Sequence, residues 1–208
     1  MKCKSIDLDY DEEGKKIFLK FLGVGVEGAE ERKAYDIINS MYKHPKTGGI
    51  IFVGGQSACE RLSILQEFKI THVLNCTDSI KNYFESKPVG IVYLRKDMGS
   101  WWKDVNKTDE SLVKFISPAL EFIMQAILKG ENVLIHCLAG AHRAGTMGII
   151  SLMFFASLHL KEAVPTAQRL RPVINPIGMF PQLLDKMQAA IDKKKFDDLK
   201  SKWLSTIE

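Results

Sequence analysis

The chain has 208 residues, 46% hydrophobic and 26% charged, which suits one globular domain with an extension and is long enough to bury a core. Its formal net charge of +4 favours anionic substrates, but no basic run is interleaved with aromatics, so nucleic acid is not expected as a partner. Cys3, Cys59, Cys76 and Cys137 are too widely spaced for a disulfide framework or paired metal ligands, which argues against a stapled secreted scaffold and for a reducing, cytoplasmic or nuclear setting.

Met1 to Asp7 lacks the apolar core of a signal peptide. Residues 1–45 read as an N-terminal extension, either an arm packed on the main domain or a docking element for a substrate protein. Asp9, Asp11, Glu12 and Glu13 form an acidic cluster, and Lys15 to Leu22 suits a strand or a short amphipathic piece. Gly23, Gly25 and Gly28 break it. Glu30 to Tyr42 is expected to be a helix, with Ala34, Ile37, Ile38 and Met41 on one side. His44-Pro45-Lys46-Thr47-Gly48-Gly49 is a turn-rich boundary, and residues 46–195 form the main domain.

Ile50 to Val53 reads as a strand, and Gly54-Gly55-Gln56-Ser57 turns into a helix over Cys59 to Phe68 with Ser57 as its cap. Ile70 to Cys76 is the next strand. Open α/β sheets gather ligands at strand C-termini, which brings Cys76 toward Cys137. Gly90 to Leu94 is a further strand, followed by a loop from Arg95 to Asp104 that carries Asp97, Trp101 and Trp102. One tryptophan packs inward while the other lines a cleft, or both anchor the loop. Ser111 to Lys129 has the spacing of a core helix, in which Pro118 predicts a kink or a new start.

Val133 to Ile135 is a short β-branched run, Leu138 to His142 a loop of small residues around Gly140, and Ala144 to Phe155 a mostly apolar helix. That helix is too short and too interrupted for a membrane span. Strand, tight loop and helix build an anion site, because loop amides and the helix N-terminus converge on one point. Cys137 and Arg143 stand at the two ends of the loop. Such surroundings favour a thiolate, lowering a cysteine pKa from about 8.5 into a range of about 3.5–7.5. Arg143 adds a planar fork that fits two phosphate oxygens. Glu162 to Arg171 reads as a helix with Pro165 in its first turn, Arg171 to Pro176 as a turn, and Gly178 to Ile191 as a helix. Residues 196–208 read as a charged, solvated tail.

His136-Cys137-x-x-Gly140-x-x-Arg143 resembles the active-site loop of the cysteine-dependent protein phosphatases, and with Leu138-Ala139-Gly140 it is most similar to the dual-specificity branch. The Ile70-Thr71-His72-Val73-Leu74-Asn75 strand and the Arg171-Pro172 turn extend the likeness from about Gly49 to Ile191. The resemblance implies an α/β fold with a central mixed sheet flanked by helices. It implies hydrolysis of phosphotyrosine and phosphoserine or phosphothreonine in proteins through a phosphocysteine, with no metal or other cofactor. Cys137 would be the nucleophile and Arg143 the anion clamp. His136, Leu138, Ala139, Gly140, Ala141, His142 and Ala144 would make up the phosphate loop. The general acid would lie just after the Gly90–Leu94 strand, which points to Asp97, with Asp104 and Asp109 as rivals. His136 would orient the loop and add a cation, and His142 would either add charge near phosphate or face solvent. Related branches carry a cysteine near Cys76 that pairs with the nucleophile under oxidation. One departure stands out: the family usually has Ser or Thr where this chain has Ala144, so a slower second step is expected. Ala144 keeps open a low-turnover phosphoprotein binder, and RNA 5′ ends, phosphoinositides and glucans stand as alternative substrates.

Overall fold

The computed structural model describes residues 8–22 and 36–207, without the side chains of 18–22. Five strands, β1 (Ile38–Lys43), β2 (Ile50–Gly54), β3 (Ile70–Asn75), β4 (Val92–Arg95) and β5 (Asn132–His136), form one sheet in the order β1-β2-β5-β3-β4 among the described residues. Only β1 and β2 pair antiparallel; β2–β5, β5–β3 and β3–β4 are parallel. The sheet is therefore mixed, as expected. Its middle strands are nearly continuous apolar runs because both faces are covered. Ile51, Val53, Val133 and Ile135 face one hydrophobic cluster, while Phe52 and Leu134 face the other, the alternation that a pleated strand imposes.

The helices are α1 (Tyr10–Leu22), α2 (Gln56–Cys59), α3 (Leu62–Glu67), α4 (Trp101–Asp104), α5 (Asp109–Leu128), α6 (Arg143–Phe155), α7 (Leu160–Leu170), α8 (Phe180–Asp192) and α9 (Asp197–Leu204). Residues of α5, α6 and α8 fill the larger cluster, and those of α2 and α3 the smaller one. α5 is long and apolar enough to cross a membrane, yet half of its apolar window is buried, as in the core helix of a packed domain.

Several elements differ from expectation. Residues 38–42, read as the end of a helix, form β1. Its buried residues Ile38 and Met41 are three apart because a bulge between Ser40 and Tyr42 shifts the register, and a bulged strand imitates helical spacing. Residues 30–35 of that expected helix lie outside the described residues. The acidic cluster is the first turn of α1: the Asp9 carboxylate accepts from the backbone N–H groups of Asp11 at 2.9 Å and Glu12 at 3.1 Å, capping a helix whose start favours acids. Ser57 caps nothing, since Gly55 is the N-cap of α2 and the Gln56 amide donates to Leu138 O at 2.8 Å. α5 runs through Pro118 as a single helix. α7 begins at a His159–Glu162 capping box, so Pro165 lies beyond its first turn. The tail forms α9 with a solvated charged face, as expected, but its other face is packed. Trp203 is completely buried, its indole donates to Phe155 O at 3.1 Å, and its ring meets Phe155 edge-on at 4.9 Å.

Candidate active site

Because β2, β3, β4 and β5 run parallel, their C-terminal ends emerge along one edge of the sheet. Gly54, Cys76, Asp97 and Cys137 all follow from that edge, the place where open α/β sheets carry ligands. The loop from Cys137 to Arg143 is tied down there by its carbonyls. Leu138 O accepts from Gln56 N at 2.8 Å and Ala141 O from Asn175 N at 3.1 Å. Gly140 O accepts from Arg171 Nε at 2.8 Å and Ala139 O from Arg171 Nη2 at 3.0 Å. In a trans peptide the next residue's N–H points opposite the carbonyl. Four anchored carbonyls therefore turn the amides of residues 139–142 to the concave side, forming a nest for an anion.

Gly140 makes this path possible. It has φ of +66°, and a Cβ there would stand 2.5 Å from the Gly54 carbonyl and 2.8 Å from Arg171 Nη2. Arg171 was read as part of a turn, and its role was not legible from sequence. It is 1% exposed and also donates to Asp36 O and Asn39 Oδ1, so it fastens the loop to the start of β1.

Arg143, the first residue of α6, is buried. Burial pulls its pKa down, but the Cys137 sulfur and the Asp11 carboxylate outweigh that and hold it more firmly protonated than free arginine. The Cys137 sulfur therefore lies close enough to Arg143 to act on it electrostatically. Two expected cations are corrected. His136 is fully buried, and burial, helped by the Arg95 and Arg143 guanidiniums, pushes its pKa down to about 3, so it is neutral near pH 7 and supplies no charge. His142 does not face solvent, and its pKa lies below the ordinary 6.5, which disfavours a charge there. Its Nδ1 lies 2.6 Å from Asn175 O, a partner that only accepts, so Nδ1 bears the proton. Burial lowers its pKa too, more than neighbouring Glu13 raises it.

Asp97 and Arg143 line the same cleft of about 210 Å³. They flank Gly99, where a Cβ would lie 3.1 Å from Asp97 Oδ1 and 3.6 Å from Arg143 Cδ. The carboxylate is aimed by the Gly99 N–H at 2.8 Å. Asp104 lines a different depression with Lys96 and Lys114, and Asp109 pairs with Lys193 at 3.0 Å. Of the two tryptophans, Trp101 packs inward and Trp102 lines the Arg143 cleft. Ala144 is wholly buried and brings no hydroxyl. The Thr146 hydroxyl does not replace it, because it donates to His142 O at 2.7 Å. Cys76 is completely buried. Burial, then the neighbouring Cys137 charge, pushes its thiol pKa well up, and Cys59 is raised by burial with a smaller contribution from Cys137. Among the described residues no group of three His, Cys, Asp or Glu side chains could hold a metal ion.

Residues 8–17 form an arm packed on the main domain, one of the two readings of the N-terminal extension, but its seat on the loop was not legible in the sequence. Cys137 is only 2% exposed. The cover is α1: Gly14 lies against Leu138, Ile17 packs on Ala139, Ala141 and Val173, and Arg143 Nη2 donates to Asp11 Oδ1.

A parallel strand, a nest of inward amides closed by an arginine, and a helix leading away from it are the architecture of the cysteine-dependent phosphatases. The model of the dual specificity phosphatase catalytic domain matches residues 51–189, and the chain belongs to that family. It is 31% identical over 142 residues to mouse dual specificity protein phosphatase 19, covering 66% of this chain and 59% of that protein. It is 30% identical over 136 residues to human dual specificity protein phosphatase 9, covering 65% and 34% respectively. The chain thus spans less than two thirds of the length of these relatives. Among solved structures, DUSP15 aligns with a TM-score of 0.58 at 26% identity, over 73% of this chain and 90% of that one. The human tyrosine phosphatase-like serine/threonine/tyrosine-interacting protein aligns with a TM-score of 0.55 at 25% identity, over 68% and 92%.

Proposed function

We propose that this chain is a protein phosphatase that hydrolyses phosphotyrosine and phosphoserine or phosphothreonine through a phosphocysteine on Cys137. The observation that supports the reading is the tethered 137–143 loop. Four of its carbonyls are anchored, and it carries Cys137 at one end and the buried Arg143, which feels the Cys137 sulfur, at the other. In the first step the Cys137 sulfur attacks phosphorus in line as the bond to the leaving oxygen breaks, and Asp97 gives that oxygen its proton. The amides and the Arg143 fork hold the charge that builds on the equatorial oxygens. In the second step Asp97 takes a proton from water, the water oxygen bonds to phosphorus, and the sulfur leaves as thiolate. Ala144 offers that sulfur no hydroxyl, so this step is the slower one. α1 must move aside before a phosphate reaches Arg143.

A second reading, a phosphoprotein binder with little turnover, is favoured by Ala144 alone. Turnover of a chromogenic aryl phosphate by the full chain separates the two, measured on wild type, Asp11→Asn and Cys137→Ser. Activity in the first two, abolished in the third, supports the phosphatase. Absence of turnover in all three favours the binder.

A further inference from the structure

We propose that α1 is an intramolecular competitor of the phosphate substrate: residues 8–17 of this chain occupy the mouth of the 137–143 loop, with the Asp11 carboxylate seated on Arg143 where a phosphate oxygen would bind. The identity of the displaced ligand rests on the phosphatase reading; the contact itself does not. Asp11 is held from two sides, by Arg143 and by the Ser79 hydroxyl, which donates to its second oxygen at 3.2 Å. Asp11 takes Arg143 Nη2 through one carboxylate oxygen, so a phosphate oxygen that uses the same nitrogen must displace it.

The fit extends well beyond one ion pair. Gly14 is in a helix interior, where glycine is destabilising relative to alanine. Its place follows from Leu138, since a Cβ there would come within 3.2 Å of Leu138 Cδ2. Tyr10 is buried, with its ring 4.7 Å from that of Phe180. Its hydroxyl is admitted by Gly178, where a Cβ would lie 2.9 Å away. The two glycines, the buried tyrosine and Ile17 seat the helix so that Asp11 falls on Arg143. Together with the 2% exposure of Cys137, this describes a closed site whose occupant is an acidic helix of the chain itself.

The test uses the full chain with Asp11→Asn, Gly14→Leu and, as a control, Glu12→Gln at an exposed position one residue along. Gly14→Leu strengthens the helix intrinsically but crowds the Leu138 side chain, pushing the helix off the loop. Two readouts are taken: kcat and KM on an aryl phosphate, and the rate at which iodoacetamide alkylates Cys137, followed by peptide mass spectrometry. Asp11→Asn and Gly14→Leu are expected to lower KM with kcat unchanged. Both should speed alkylation by about ten- to a hundredfold, the range that loss of one charge-assisted hydrogen bond corresponds to, while Glu12→Gln matches wild type. Faster alkylation with no turnover in any variant upholds the competitor and fails the phosphatase reading. Turnover with alkylation and KM unmoved in both variants overturns the competitor and leaves the phosphatase standing. A fall in kcat/KM for Asp11→Asn also overturns it, because Asp11 would then serve the reaction.

Discussion

Arg171→Lys keeps the charge and removes the fork. Arginine at this position serves four acceptors from three nitrogens: Gly140 O at 2.8 Å, Ala139 O at 3.0 Å, Asp36 O at 2.8 Å and Asn39 Oδ1 at 2.5 Å. A lysine ammonium reaches one or two of them from a single point. The bonds to Gly140 O and Ala139 O are buried and those to Asp36 O and Asn39 Oδ1 only partly so. Losing the donor to one or both buried carbonyls costs about 1–3 kcal/mol each, so a stability loss of about 1–6 kcal/mol is expected. The Ala139 and Gly140 peptides also lose the constraint that turns the following amides inward. A displacement of about 1 Å in such a site costs about a hundredfold in rate. The assay pairs urea unfolding with kcat/KM on an aryl phosphate, measured where the variant is still folded. A lysine variant within about 1 kcal/mol of wild type and equally active would refute the idea that Arg171 holds the loop in shape.

Three other outcomes follow from the same geometry. Ala144→Ser places a hydroxyl in the first turn of α6 and should hasten phosphocysteine hydrolysis by about tenfold or more, the worth of a hydrogen bond to a charged sulfur; the pre-steady-state burst then shrinks, and a wild type without a burst speaks against the slow second step. His136 titrates at about 3 in the folded chain against an ordinary 6.5. The unfolded state therefore binds more protons between these values: its contribution is complete above pH 6.5 and is lost as pH falls toward 3. At pH 5 this amounts to about 2 kcal/mol, so His136→Gln should lose about that much less stability than wild type between pH 7.5 and 5, and parallel pH profiles would contradict it. Trp203→Ala removes a fully buried side chain and should cost about 3–5 kcal/mol in thermal or chemical unfolding; a cost under about 1 kcal/mol would mean that α9 does not hold the core.

The parts of the fold legible in the sequence are those where one local pattern decides the outcome. The runs at 50–53, 70–75 and 133–135 are unambiguous as strands because both faces of the middle of the sheet are covered. The loop from Cys137 to Arg143 is legible because its chemistry is contiguous. β1 was not, since its bulge places Ile38 and Met41 at helical spacing. Asp97 could be favoured over Asp104 only by resemblance; geometry then put it beside Arg143. The neutrality of His136 is a property of burial that a sequence does not display. Arg171 and Asp11 act across separations of more than thirty and one hundred residues, and no local pattern carries such pairings. Gly14, which lets α1 lie against the Leu138 side chain, took its meaning only from the structure.

The most direct measurement is the site of phosphorylation during turnover. The full chain is mixed with an aryl phosphate, quenched in acid within the first turnovers, digested and mapped by mass spectrometry. Phosphate on the sulfur of Cys137, absent from Cys137→Ser and longer-lived in wild type than in Ala144→Ser, is the expected result. Turnover that proceeds with Cys137 unlabelled, or undiminished in Cys137→Ser, would contradict the nucleophile assigned to this loop.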